Sequence, residues 1–168
     1  MLILGVKKMK KARITAIIFL ILILSGCSVQ KYGNDLNSFC VRTKIRSEEY
    51  AVTAGGFIAE NDKFTKYFHI DGHDIMIRFA KDKKNRLTAM DIVLPDTARK
   101  SETTLKFCEN CIYAFVNDEE KAALLGIDGI FDCAAAPQPE TKTTDADGVG
   151  VNVDSLDAGT VITVYFEE

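Results

Sequence analysis

Five cysteines, two histidines and a scatter of carboxylates are the side chains with which this 168-residue chain could do chemistry. Cys108-Glu109-Asn110-Cys111 has the Cys-x-x-Cys spacing of redox pairs and of half a zinc site. A second such pair is missing, which weakens zinc. Thiol redox chemistry also wants the motif at a helix N-terminus behind a strand, where the helix dipole lowers the thiol pKa. Here the surrounding pattern places it mid-helix, beside an apolar seam. Buried free thiols, disulfides, and metal or redox use are all open to Cys40, Cys108, Cys111 and Cys133, and four cysteines allow three pairings. Cys108 and Cys111 are the pair singled out for a disulfide or redox role.

His69 and His73 would share a face if they lay on a helix. Between them, however, Asp71-Gly72 separates two alternating apolar runs, the strongest short-range signal of a hairpin. The alternation of a strand then sends the two imidazoles to opposite faces. His69 is expected to pair with Asp74 across the hairpin, and no metal site is expected. Asp145-Ala146-Asp147-Gly148-Val149-Gly150 places acids and a glycine as an EF-hand loop does. Its fifth position is Val149, and its twelfth is Leu156 where calcium needs a bidentate Glu, so a turn is the expectation. No nucleophile elbow, phosphate loop, dinucleotide fingerprint or His-Glu-x-x-His occurs. The absence of these motifs favours a non-enzymatic domain.

The fifth cysteine, Cys27, has a different setting. Lys7, Lys8, Lys10, Lys11 and Arg13 precede an apolar run from Ile14 to Leu24, relieved only by Thr15. A charged region, a short apolar region and a small-residue cleavage site define a secretory signal. The run is well short of the roughly 20 apolar residues that span a bilayer. Leu24-Ser25-Gly26-Cys27 then resembles the lipobox of bacterial lipoproteins, an aliphatic residue and two small ones before the acceptor cysteine. The resemblance covers four residues, and its position directly behind the apolar run makes it specific. It implies cleavage before Cys27, a diacylglyceryl thioether on that cysteine, and a place on the outer side of the cell membrane. Two acyl chains hold a protein stably where one does not. No cofactor is expected beyond this covalent lipid. Met1 to Val6 adds an extra apolar patch, so translation starting at Met9 would give a tidier signal.

Removing residues 1–26 leaves 142 residues, the size of one domain. It also changes the charge, to 16 basic against 24 acidic residues. From Cys27 to Lys100 the balance is +3, and from Ser101 onward it is −11. Nucleic acid and anionic lipid both require cationic contacts, so neither suits that acidic half, and no nucleic-acid partner is expected.

The elements that must carry these groups follow from periodicity and punctuation. Asn34 or Asp35 caps a helix bearing Leu36, Phe39, Cys40 and Ile45. The hairpin puts Phe68, Ile70, Ile75, Ile77 and Phe79 on one face and Tyr67, His69, Asp74, Met76 and Arg78 on the other. Leu87 to Leu94 is a strand with Met90, Ile92 and Leu94 turned one way, ended by Pro95. After Asp96 a helix is expected to Val116, with Leu105, Cys108, Ile112 and Phe115 on its seam. Asn117 and Glu120 resemble a capping box opening a short helix to Leu125. Ser47 to Glu60 is ambiguous, and Ala134 to Asp147 reads as a loop. Val149–Val153 and Val161–Phe166 are strands joined by Asp157-Ala158-Gly159.

The whole is expected to be α+β, an antiparallel sheet of five or six strands with two or three helices on one face. Residues 1–26 form the signal, 27–35 a lipidated tether and 36–168 one domain. The functional expectation is a membrane-tethered module that binds an envelope protein or small ligand. A thiol-based envelope redox protein and a structural or assembly lipoprotein are the alternatives.

Overall fold

The computed structural model describes residues 34–126, 130–132, 140–146 and 148–167. The signal, Cys27, most of the tether and Cys133 lie outside the described residues.

Asp35 caps the first helix, α1 (Leu36–Arg46), by accepting from the Ser38 backbone N–H at 3.0 Å. A short strand β1 (Ile58–Glu60) leads into the hairpin β2 (Lys63–Ile70) and β3 (His73–Lys81), and then β4 (Leu87–Pro95). Asp71 and Gly72 both have positive φ, 51° and 78°, the backbone of a type I′ turn. That turn fixes the register Phe68 to Ile75 and His69 to Asp74, as the Asp-Gly signal and the apolar alternation require.

A 3₁₀ turn, Asp96–Ala98, precedes α2 (Glu102–Val116), whose N-cap is Ser101. The helix therefore starts later than Asp96. Pro95 favours an extended approach, and the Arg99 side chain folds back to Asp96. Asn117 terminates α2 in the left-handed conformation (φ 56°), and Asp118 caps α3 (Glu119–Leu124) by accepting from the Lys121 N–H. The N-cap is thus Asp118 and not the expected Asn117, which stops the preceding helix, and with Lys121 three residues on this is a simple cap and not the expected capping box. The chain closes with β5 (Glu140–Ala146), β6 (Val149–Leu156) and β7 (Gly159–Phe166).

All seven strands form one antiparallel sheet in the order β1-β2-β3-β4-β7-β6-β5. The class is α+β, with more strands than the five or six expected. The additional strands are its two edges. In β1 every residue is exposed, and β5, Glu-Thr-Lys-Thr-Thr-Asp-Ala, carries no apolar alternation. Edge strands of this kind have no hydrophobic face to betray them, and charge on an edge discourages pairing with other chains.

One face of the sheet is the core. Ile75, Ile77, Phe79, Met90, Ile92, Leu94, Ile162 and Val164 are wholly buried on it. The helices cover this face through a chain of rings: Phe39 meets Phe79 edge-on at 4.8 Å, and Phe115 stacks between Phe79 and Phe166. Polar groups at the helix–helix seam bond across it. Arg42 Nε donates to the Ala114 carbonyl at 2.5 Å, and the Asn110 amide donates to the Thr43 and Tyr50 carbonyls. Such bonds matter because a buried polar group without a partner is costly. Among the described residues no helix is long and apolar enough to cross a membrane.

Candidate functional site

Among the described residues no helix packs on the opposite face of the sheet. The same pleat that sends Ile75 and Ile77 inward sends Asp74, Met76 and Arg78 outward. Across the sheet they are joined by Tyr67 and His69 from β2, Asp91, Val93 and Pro95 from β4, Val161, Thr163 and Tyr165 from β7, and Gly150, Asn152 and Asp154 from β6, as the strand registers dictate.

This open face has three zones. At its centre is a polar lattice: Arg78 donates twice to Asp91 Oδ2, at 2.9 Å from Nε and 2.6 Å from Nη2, and the Thr163 hydroxyl donates to Asp91 Oδ1 at 2.9 Å. Three strands are thus tied by one carboxylate, with charge-assisted bonds stronger than neutral ones. At the end where β5 and β6 meet, the Tyr165 ring lies against Gly150. A side chain at position 150 would overlap that ring, which explains a glycine inside a central strand.

At the other end is a hollow of about 410 Å³, lined by Tyr67, Asp74, Met76, Val93, Pro95 and Leu156, with Val161 and the β6–β7 turn completing it. Its walls are almost entirely apolar. Tyr67 is 64% exposed and Leu156 53% exposed, so the hollow is open and its rim projects. Asp74 on the rim contacts His69 Nδ1 at 2.9 Å, the cross-strand pair anticipated from the hairpin. Asp157 stands in the turn between Leu156 and Ala158.

The candidate chemical residues fall elsewhere. His73 pairs with Ile70 on the helix-covered face, and its Nδ1 lies 3.2 Å from the Thr97 hydroxyl. The two histidines are therefore on opposite faces, and no group of three or more potential metal ligands forms among the described residues. Asp145 lies within β5 opposite Gly150, and Ala146 pairs with Val149 at the start of β6, so the two strands form a hairpin here; Asp147 lies outside the described residues. Cys40, Cys108 and Cys111 are free thiols. Cys108 and Cys111 sit at the centre of α2 with no exposed surface. Burial pushes the Cys40 thiol up to about 11 and the other two well above the usual thiol range, with Cys108 beside Cys111 adding to the rise. Thiolate is the reactive form, so this is an environment for packing.

The hollow could not be found from the sequence, although its parts were visible. Tyr67, Met76, Val93 and Val161 come from four strands, and only the β4–β7 pairing, Val93 opposite Val161 and Pro95 opposite Gly159, brings them together. The available signal was the apolar content of positions whose alternation turned them away from the core. No protein-family model matches the chain, and neither does any curated protein or solved structure.

Proposed function

We propose that this chain is a lipid-anchored binding module of the cell envelope, held to the outer side of the membrane through Cys27 and working through the open face of its sheet. One observation carries the second half of this reading. A sheet with its core face packed by helices holds on the other face a 410 Å³ apolar hollow beside a pre-ordered Arg78–Asp91–Thr163 lattice. Contiguous apolar surface rimmed by polar groups marks interaction sites. The first half rests on the charged, apolar and small-residue sequence of positions 7–27. On the helix-covered side the Cys108 and Cys111 thiols have no exposed surface, and burial raises their pKa values. Binding without chemical conversion is therefore the reading favoured over thiol redox work.

Two measurements test it. Intact mass and N-terminal analysis of the chain extracted from membranes should show a chain beginning at a diacylglyceryl Cys27; an unmodified Cys27, or a chain beginning upstream of it, overturns the anchor. Val161→Glu places a charge in the hollow without touching the core. It should leave the midpoint of unfolding almost unchanged and remove binding by the envelope component that wild type retains. Full retention of that binding contradicts the assignment of the face.

A further inference from the structure

We infer that the hollow receives a polypeptide segment presenting an apolar side chain flanked by lysine or arginine. This rests on the reading of the open face as the binding surface, and names the partner's chemistry.

The walls set the first requirement. Met76, Val93, Pro95 and Val161 offer only apolar surface to an occupant. The volume lies at the lower end of the range for small-molecule pockets, but those sites bury roughly 70–90% of their ligand. Here Tyr67 and Leu156 remain more than half exposed and project beside the opening. An anchor side chain delivered by a larger partner suits this shape, because the partner's own surface then covers the rim and excludes water.

Charge sets the second requirement. Asp74 lines the hollow and Asp157 stands between two of its lining positions, while no lysine or arginine lines it. The arginine of that face, Arg78, is already held by Asp91. An anionic group entering the hollow meets the Asp74 carboxylate and no lysine or arginine, whereas a cationic neighbour of the inserted side chain pairs with Asp74 beside His69. Complementary charge of this kind gives specificity and speeds encounter.

Charge also decides against the bilayer as occupant. Laying the open face flat would press Asp74 and Asp154 against anionic headgroups, whose potential attracts cations.

The chain contains no tryptophan, so Tyr67→Trp supplies a single fluorescent reporter on the rim. In the full processed chain purified from cells, this variant is titrated with the capped tetrapeptides Lys-Leu-Leu-Lys and Glu-Leu-Leu-Glu into the millimolar range. The basic peptide should shift the emission with a Kd about tenfold or more below that of the acidic one. Adding Asp74→Asn and Asp157→Asn, two exposed and conservative changes, should remove most of that preference. Equal response to the two peptides, response to neither, or a response to phosphatidylglycerol vesicles in place of the peptides overturns the inference. A preference for the acidic peptide also overturns it, while leaving the open face as a binding surface. The mass of Cys27 reports on the anchor independently of all these outcomes.

Discussion

Along β3, β4 and β7, residues that alternate in sequence live in two different worlds. Ile77, Ile92 and Ile162 are fully buried under the helices, while their neighbours Arg78, Asp91 and Thr163 form a hydrogen-bonded lattice on a face that no helix of the described residues covers. The covered face is held by contact area: rings of Phe39, Phe79, Phe107 and Phe115 with no exposed surface to speak of. The open face is held by directed bonds at its centre and leaves its apolar end unfilled. The covered face therefore determines whether the chain folds, and the open face is where a second molecule can be met without disturbing that fold.

The largest consequence concerns the covered face. Phe115→Ala removes a ring stacked between Phe79 and Phe166 and should cost about 3–5 kcal/mol in urea denaturation. Val93→Ala, on the same sheet but facing the hollow, should cost under about 1 kcal/mol. Equal losses would erase the distinction between the faces.

A medium effect is expected where the open face is tightly packed. Gly150→Ala pushes against the Tyr165 ring and should destabilise by about 1–3 kcal/mol. In a Tyr165→Ala background most of that penalty should vanish, a coupling that a double-mutant cycle measures directly. Additive losses would mean that the ring is not what excludes a side chain at position 150.

A smaller effect should appear with acid, at the helix cap. The Ser38 backbone N–H and hydroxyl both bond the Asp35 carboxylate and hold its pKa below the ordinary value of 3.8. A depressed pKa contributes stability that is present above the unfolded value and is lost as pH falls through the folded one. Asp35→Ala should thus cost about 1 kcal/mol near neutrality, and the gap from wild type should close as pH falls below 4. A gap that persists at low pH would show that the charge is not the source.

The smallest effect is a null. With Cys108 and Cys111 buried and their thiols raised, neither should be alkylated by iodoacetamide at mild alkaline pH in the folded chain, and both should react once urea unfolds it. Mass spectrometry after brief labelling distinguishes the two states. Rapid labelling of the folded chain would restore the thiols as reactive groups.

Much of the covered face was legible in the sequence because local and tertiary preferences agree there. Asp71-Gly72 fixed a turn, the turn fixed a register, and the apolar alternation demanded the same register. The edge strand Glu140–Ala146 reads as a loop in sequence because it has no apolar alternation, and its pairing with β6 is set by backbone bonds that any polar sequence can make. The helix α2 starts later than its sequence pattern predicts because the 3₁₀ turn at Asp96–Ala98 depends on Arg99 reaching Asp96 and Ser155, the latter a contact between distant parts of the chain. The hollow was illegible for the same reason: its walls meet only through strand order, which no single strand encodes.

The most direct test of the open face as the working face is a pair of cross-linking experiments in intact cells. A benzophenone amino acid replaces Val161 in one chain and exposed Lys106, on the helix side, in the other. After irradiation, the substitution at Val161 should yield a discrete adduct that the substitution at Lys106 does not. An adduct from the Lys106 position alone, or none from the Val161 position, would contradict the account.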